Sequence, residues 1–278
     1  MSQREEYPAG VPCYVDSGRK DPQAAIDFYG GLFGWEFADM SPEGAPRYFG
    51  ATLDGLVVAG VGEQPDMEWA PVWNTYVRVD DADAAAGGVE KAGGKVTMPP
   101  FDIGPAGRMA AFDDVEGASL CVWQPGQSVG SQQVNDAGSW VFSTLHSADR
   151  GKAEAFYGPV FGWKFGDEAD DSVMVMKPGY QDFLAQDDPE LPGRLEEMGA
   201  PEGFGDVVAT MSPVADGVAP HWDITFGVED CDASAARVKE LGGTVVVEPF
   251  DAPWVRPAVV RDTDGVEFTI SQFVPPGD

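Results

Sequence analysis

The sequence is poor in basic residues, histidine and cysteine. Only 17 lysines and arginines stand against 47 aspartates and glutamates, which gives a formal net charge of −30. This charge repels nucleic-acid phosphates and anionic lipid surfaces, so we expect neither a nucleic-acid nor a membrane partner. The sequence has 2 histidines and 3 cysteines, and the cysteines show no Cys-x-x-Cys spacing. These residues therefore indicate neither a zinc knuckle nor a disulfide framework.

Long apolar runs are missing as well. No segment is long enough to cross a bilayer, and the polar start MSQREEYP lacks the apolar stretch of a signal peptide. We therefore expect a cytoplasmic protein. The sequence also contains no motif of a serine nucleophile, a P-loop or a dinucleotide-binding turn, which argues against nucleophilic serine chemistry and nucleotide use.

An internal repeat dominates the rest of the sequence. The segment FYGGLFGW at 28–35 recurs as FYGPVFGW at 156–163. Further along, the segment at 79–96 recurs at 228–245. Self-similarity of this length indicates a duplication that spans nearly the whole chain.

The repeat predicts two tandem domains. We place the first at 1–127 and the second at 139–278, joined by a polar linker at 128–138. The difference in residue number between matching segments is larger for the segments at 79–96 and 228–245 than for those at 28–35 and 156–163. The second copy therefore carries an insertion between its two matching segments. We expect it near 181–203, a stretch rich in acids, proline and glycine, as a lid over a cavity or as a plain surface loop.

Strands and helices alternate in the same order in each copy. In the first copy a strand near 11–17 is followed by Asp21-Pro22, an N-cap and a first-turn proline that open a helix ending at a glycine. Three strands follow, and the second part of the copy repeats this order around a helix at 81–92. The predicted fold class is α+β, with two βαβββ units in each domain.

A doubled βαβββ unit with FYxxxFGW after one helix and VxDxDA…GG around the next resembles the vicinal oxygen chelate superfamily. Glyoxalases, extradiol dioxygenases and bleomycin-resistance proteins belong to it, and tandem actinobacterial members are often labelled hydroxylase or glyoxalase-like. The resemblance covers both halves and implies curved mixed sheets, each around a cavity. It also implies a monomer with an internal pseudo-dimer, or a homodimer. The fold hosts many reactions and does not imply a particular one.

Side-chain alternation along the strands separates core-facing from cavity-facing residues. The cavity-facing set mixes aromatic and polar groups, which is typical of a site for a small-molecule ligand. The candidate ligand contacts are Tyr14, Asp16, Asn74, Tyr76, Arg108 and Trp123 in the first copy, and Phe142, Thr144, Thr269, Trp254 and Arg256 in the second. The two arginines either clamp a ligand carboxylate or pair with acids of the chain.

The resemblance further implies three metal-ligand positions per copy, where catalytic members carry His, Glu or Gln. The matching residues are Asp16, Asn74 and Cys121 in the first copy, and Thr144, Asp223 and Thr269 in the second. These residues depart from the usual His and Glu set, so we expect no cofactor. A divalent metal would need ligands from neighbouring positions, such as His146, Asp223 and Glu267.

Two functions are compatible with these features. The first is a binding protein that holds a hydrophobic or aromatic metabolite in a cavity, with degenerate metal sites. The second is an enzyme of the same superfamily: a glyoxalase-like lyase, an oxygenase or hydroxylase, or a metal-free isomerase or cyclase in which His146 and Asp223 move protons. The alternative for His146 is a structural imidazole bonded to the backbone. We expect His221 in a loop or at the cavity rim.

Overall fold

The computed structural model describes residues 3–41, 44–66, 70–169 and 172–275. The elements of the first half are β1 (Pro12–Arg19), α1 (Pro22–Phe33), β2 (Glu36–Asp39), β3 (Tyr48–Leu53), β4 (Leu56–Glu63), β5 (Trp73–Arg78), α2 (Ala82–Lys91), β6 (Lys95–Ile103), β7 (Gly107–Asp113) and β8 (Ser119–Pro125). Those of the second half are β9 (Trp140–Ser147), α3 (Arg150–Phe161), β10 (Lys164–Ala169), β11 (Ser172–Met176), α4 (Tyr180–Asp187), α5 (Leu191–Glu197), β12 (Val207–Pro213), β13 (His221–Gly227), α6 (Cys231–Glu240), β14 (Thr244–Val247), β15 (Val255–Arg261) and β16 (Glu267–Phe273). A 3-10 helix, Phe204–Asp206, precedes β12.

Each half builds one eight-stranded mixed sheet. The strand order is β2-β3-β4-β1-β5-β8-β7-β6 in the first half and β10-β11-β12-β9-β13-β16-β15-β14 in the second. In both, the first strand pairs in parallel with the fourth and antiparallel with the fifth, so two four-stranded units join at the centre. The predicted α+β class and tandem arrangement are confirmed. The exact domain and linker boundaries stay a prediction.

The repeated motif fixes both ends of the first helix in each half. Asp21 and Asp149 accept hydrogen bonds from backbone N–H groups in the first turns of α1 and α3. Each helix ends at a glycine with a left-handed backbone, φ 74° at Gly34 and 73° at Gly162. That conformation costs other residues about 1–2 kcal/mol, so the glycine of the motif is a stop signal.

The helical faces of the two sheets pack against each other. Helix α1 lies against α6 and α2 lies against α3, so each of the two apolar cores takes residues from both halves. One core brings Phe28 and Phe268 together with ring centroids 6.3 Å apart. The other brings Phe112 and Phe156 together at 6.0 Å. The two halves therefore form an internal pseudo-dimer.

The tyrosine of the repeated FY motif bridges the halves. Tyr157 donates a hydrogen bond to Asp114 Oδ2 at 2.8 Å and accepts one from Trp222 Nε1 at 3.0 Å. Tyr29 does the same in the opposite direction, donating to Asp262 Oδ2 at 2.9 Å. These groups are buried. The bridges therefore satisfy carboxylates that would be costly to bury without partners.

Tyr157→Phe is expected to lower the free energy of unfolding by about 2 kcal/mol, because the buried Asp114 carboxylate and Trp222 indole each lose a partner. Urea denaturation followed by tryptophan fluorescence measures the loss. Tyr180→Phe is the control, since Tyr180 is also a buried residue but its hydroxyl makes no hydrogen bond within the described residues. The free energy of unfolding of Tyr180→Phe should differ from that of the wild type by less than about 0.5 kcal/mol. Equal losses in both variants would contradict the bridging role of Tyr157.

The halves differ most between their third and fourth strands. The turn Asp54-Gly55 joins β3 to β4, whereas α4, α5 and the 3-10 helix separate β11 from β12. The insertion, expected as a lid or a plain surface loop with a short helix at 192–198, contains the helices α4 and α5, and their apolar residues line a cavity. None of the described helices is long and apolar enough to cross a membrane.

Candidate functional site

A buried carboxylate with three donors lies on the cavity side of the first sheet. Asp16 accepts hydrogen bonds from Tyr76 Oη at 2.9 Å, Tyr48 Oη at 3.2 Å and Asn74 Nδ2 at 2.9 Å. These side chains converge because Asn74 is directly opposite Asp16, and Tyr76 opposite Tyr14, in the β1–β5 register. Burial raises the pKa of Asp16 above its usual value, although the three hydrogen bonds act to lower it. The cluster holds a fixed, desolvated acid.

Two tyrosines close over this carboxylate. The hydroxyl groups of Tyr14 and Tyr48 are 3.1 Å apart. They fit only because residue 60 on β4 is glycine: a Cβ there would lie 2.2 Å from Tyr48 Oη and 2.4 Å from Tyr14 Oη. Phenol groups of the chain therefore fill part of the space predicted for a ligand in the first half.

Cys121 and Trp123, predicted on the same side of β8, are both buried. Burial raises the pKa of the Cys121 thiol well above its usual value, which disfavours the thiolate that a metal or a nucleophilic reaction needs. The indole Nε1 of Trp123 donates to the carbonyl oxygen of Ser128 at 2.9 Å. Neither group is placed to contribute a charge to the Asp16 cluster.

The two predicted ligand-clamping arginines each bind two acids of the chain. The partners are Asp83 and Asp102 for Arg108, at 2.9 Å each, and Asp232 and Asp251 for Arg256, at 2.7 Å each. The same arrangement therefore recurs in both halves. A ligand carboxylate would have to displace a carboxylate already bound at either arginine.

Two histidines and an aspartate converge on the cavity side of the second sheet. His146 on β9 is directly opposite His221, the first residue of β13, and Asp223 follows on the same face. The imidazole rings stack with centroids 4.6 Å apart and planes 15° apart. His146 Nε2 is 4.0 Å from Asp223 Oδ2, and ligand atoms of all three residues lie within 4.8 Å of one another. His221, at the strand start where a loop or rim residue was expected, is thus also part of this His–His–Asp cluster.

Burial sets the protonation of the His–His–Asp cluster. It lowers the pKa of the His146 imidazole, and the adjacent His221 acts in the same direction. It raises the pKa of the Asp223 carboxyl to about 6. A neutral imidazole can accept a proton, and a carboxyl that titrates near neutral pH can hold or release one. The pair therefore has the properties of a general base and a general acid.

The same cluster fits a divalent metal. Imidazole and carboxylate groups together are common ligands of zinc, iron and manganese. Bond lengths of about 2.0–2.2 Å separate tetrahedral ligand atoms by about 3.5 Å, so the three side chains need to close by roughly 1 Å. His221 Nδ1 donates to the carbonyl oxygen of Ala219 at 2.8 Å, which orients the ring and leaves Nε2 for a metal. The His–His–Asp cluster can hold a metal, although the sequence comparison led us to expect no cofactor.

The other positions predicted in the second half lie beside this cluster. Thr144 is directly opposite Asp223, and Thr269 is on the neighbouring strand β16. Glu267, the third ligand considered from the sequence, is bound by Arg261 at 2.8 Å. The structure therefore brings His146 and Asp223 together as considered, but with His221 as their third partner.

A cavity of about 460 Å³ lies beneath the inserted helices. It is bounded by the N-terminal segment, the start of β9, the start of β12 and helices α4 and α5. Most lining side chains are apolar or aromatic, and they include Tyr7, Val11, Phe142, Leu184, Leu195, Met198, Phe204, Val208 and Phe273. Phe142 is on the same face of β9 as His146. It precedes His146 by four residues, which is about 13 Å along the strand.

The predicted aromatic residues of the second half are both associated with this cavity. Phe142 lines it. Trp254 stacks on the lining residue Phe273, with ring centroids 6.4 Å apart and planes at 18°. The structure therefore groups these aromatics around the end of the second sheet that the insertion covers.

Some residues of these sites were not singled out from the sequence. Tyr48 has the same strand alternation as Tyr14, so its place on the cavity side could have been found. Arg4 and Trp140 both line the cavity beneath the inserted helices. Nothing in the sequence marks Arg4, because it precedes the first strand and reaches the second half only through the tertiary structure.

Two parts of the chain match known protein families. Residues 14–122 match the family described as the Glyoxalase/Bleomycin resistance protein/Dioxygenase superfamily. Residues 142–271 match the family described as a Glyoxalase-like domain. The two matched segments correspond to the two eight-stranded sheets.

Full-length relatives and solved structures share this arrangement. The chain is 36% identical over 283 residues to "Putative glyoxylase CFP32" of Mycobacterium tuberculosis (strain CDC 1551 / Oshkosh), covering 99% of each protein. It is 34% identical over 284 residues to the anthracycline biosynthesis protein DnrV of Streptomyces peucetius, covering 96% of this chain and 94% of that protein. The Mn(II)-bound glyoxalase from Novosphingobium aromaticivorans superposes with a TM-score of 0.61 at 17% identity, over 98% of this chain and 83% of that one. The likeness to that structure concerns the fold alone.

Proposed function

Because this chain belongs to the glyoxalase/bleomycin resistance protein/dioxygenase superfamily, we propose that it binds a small, largely apolar molecule in the cavity beneath its inserted helices. The cavity itself is the observation that carries the proposal. Its volume of about 460 Å³ lies in the range of small-molecule sites, and its lining is mainly aromatic and aliphatic, with charged residues at Arg4, Asp187, Asp188 and Arg194. The named relatives come from different kinds of biochemistry, so we argue the ligand class from the cavity.

The inserted helices have the composition of a cover for such a ligand. Leu184 of α4 and Leu191 and Leu195 of α5 line the cavity, whereas Glu196 and Glu197 are exposed. An amphipathic cover of this kind buries its apolar side chains only against a filled or closed cavity. These positions favour the interpretation that the insertion is a lid, rather than a plain surface loop.

A variant that fills the cavity tests the proposal. Leu195→Trp is expected to weaken binding of 1-aminoanthracene, a neutral fluorophore, at least tenfold, because the indole takes the volume the probe needs. Fluorescence titration gives the dissociation constants. Glu196→Trp adds the same indole at the next, exposed residue of α5 and should change the affinity less than twofold. Equal affinities of wild type and Leu195→Trp would contradict this location of the site.

The His–His–Asp cluster supports a second candidate function, that of an enzyme of the superfamily. A metal held by His146, His221 and Asp223 would supply a Lewis acid for a carbonyl or enolate oxygen. Without one, the His146 imidazole, whose pKa is lowered by burial, and the Asp223 carboxyl, whose pKa is raised to about 6, are still suited to exchange protons with a ligand. In both cases the hydrogen bond from His221 to Ala219 fixes the orientation of that ring.

A further inference from the structure

Arg4 is exceptional among the arginines of this acidic chain. Every other arginine has a carboxylate oxygen within 4.0 Å: these are Arg19, Arg47, Arg78, Arg108, Arg150, Arg194, Arg237, Arg256 and Arg261. Arg4 has no such partner within the described residues, and its Nε is buried without a hydrogen bond. Its backbone N–H is fixed on the carbonyl oxygen of Gln132 at 2.8 Å, so the residue is anchored. Arg4 lines the cavity beneath the inserted helices.

A second residue that lines the same cavity has an unpartnered donor. Trp140 is only 5% exposed, yet its indole Nε1 has no acceptor within the described residues. The other buried tryptophans all donate: Trp35 to Gly138, Trp73 to Tyr29, Trp123 to Ser128, Trp163 to Gly10 and Trp222 to Tyr157. A buried N–H without an acceptor costs free energy, and because Trp140 lines the cavity, a bound molecule can supply that acceptor.

The remaining charges around the cavity do not neutralise Arg4. Asp188 is bound by Arg194, so that pair has no net charge to offer. Asp187 also lines the cavity, but it is exposed and lies beyond ion-pair distance of Arg4. The cavity thus combines apolar walls with one cation and one neutral donor, both without partners.

We infer that the cavity binds an apolar anion, a molecule with an aromatic or aliphatic body and one acidic group that Arg4 and Trp140 bind. The inference rests on the binding function proposed above and adds the chemical class of the ligand. A guanidinium pairs with a carboxylate through two parallel hydrogen bonds, and low surrounding polarity strengthens them. An ionised phenol or enol would accept from the same guanidinium through a single oxygen.

A pair of probes of equal shape tests this inference. Anthracene-2-carboxylate and its neutral counterpart anthracene-2-carboxamide are titrated into the full-length protein at pH 7.5 and followed by probe fluorescence. The wild type is expected to bind the acid ten- to a hundredfold more tightly than the amide. Arg4→Met should abolish this preference and leave the affinity for the amide within twofold. Arg4→Lys should retain part of it, since the charge remains without the planar fork.

Two further variants serve as comparisons. The double variant Arg194→Met with Asp188→Asn removes the other cavity-lining arginine together with the carboxylate that it binds, so the net charge of the cavity and the ratio of acid to amide affinity should both stay unchanged. Trp140→Phe keeps an aromatic ring but loses the donor and should weaken binding of the acid about fivefold. Melting temperatures of all variants confirm that each one is folded.

The outcomes separate this inference from the proposed function. If the wild type binds acid and amide equally, or if Arg4→Met keeps the preference for the acid, the inference is wrong while apolar binding stands. If neither probe binds the wild type, the proposed function fails and the inference fails with it. A preference that the double variant of Arg194 and Asp188 removes as completely as Arg4→Met also overturns the assignment to Arg4.

Discussion

Asp262→Asn is expected to destabilise the protein by about 3–5 kcal/mol, because it leaves a buried arginine without its counter-charge. Arg19 Nη2 lies 2.9 Å from Asp262 Oδ2, and the two side chains are 1% and 0% exposed. The Tyr29 hydroxyl donates to the same carboxylate oxygen at 2.9 Å. The only other acid at Arg19 within the described residues is Asp264, at 3.5 Å and 35% exposed. Asp262 is thus the main counter-charge to a cation that water does not reach.

The duplication supplies a matched control for this prediction. Asp114 occupies the position of Asp262 in the other copy and accepts from Tyr157 at 2.8 Å, but within the described residues no arginine pairs with it. Asp114→Asn should therefore cost only about 1–2 kcal/mol. Urea denaturation of both variants gives the comparison. Adding Arg19→Met to Asp262→Asn should restore at least half of the loss, since it removes the unpaired cation. Equal costs at 114 and 262 would show that the arginine pair is not decisive.

His221→Ala is expected to weaken Co²⁺ binding at least about a hundredfold, because it removes one of three metal ligands. Even the loss of a residue that only hydrogen-bonds to a ligand typically lowers metal affinity by about 10–100-fold. Cobalt also reports its coordination through visible absorption, so the titration needs no turnover. His146→Ala and Asp223→Asn should have comparable effects, since the three ligand atoms lie within 4.8 Å of one another. The measurement is a calorimetric or absorption titration of the apo-protein.

Asp16→Asn is the control for the metal prediction. Its carboxylate is buried in the other half and already accepts three hydrogen bonds from the chain. The variant should bind Co²⁺ as the wild type does. Loss of binding in Asp16→Asn but not in His221→Ala would move the metal site to the first half. Wild-type protein that takes up no cobalt at millimolar concentration would leave only the metal-free form of the enzymatic alternative.

Strand alternation correctly predicted which side chains share a face of a sheet. It was less informative about which of those side chains are in contact. Asp16, Asn74 and Tyr76 were assigned to one face, and the structure places them in contact. His146 and Asp223 were likewise assigned to one face and lie within 4.0 Å of each other. Whether these residues bind a ligand stays a prediction. Alternation succeeds here because successive side chains of a strand point to opposite sides whatever the rest of the chain does.

The sequence was least informative about groups brought together by register and by packing between the halves. His221 stands beside Pro220 at a strand start, a position typical of a rim, and only the β9–β13 register sets it opposite His146. The sequence also left open whether Arg108 and Arg256 bind a ligand or form ion pairs within the chain. The answer depends on how closely Asp83 and Asp232 approach these arginines, which the fold determines.

The sequence alone determined the duplication, the α+β class, the helix ends at Asp21 and Gly34 and the alternation of core and cavity residues. All of these depend on residues a few positions apart, through capping, backbone sterics and strand periodicity. Only the tertiary structure decided that the two halves share their cores, that the insertion lines a cavity and that Arg4 lines it too. Apolar burial drives these long-range contacts and has no direction, so the choice of partners depends on the whole packed fold.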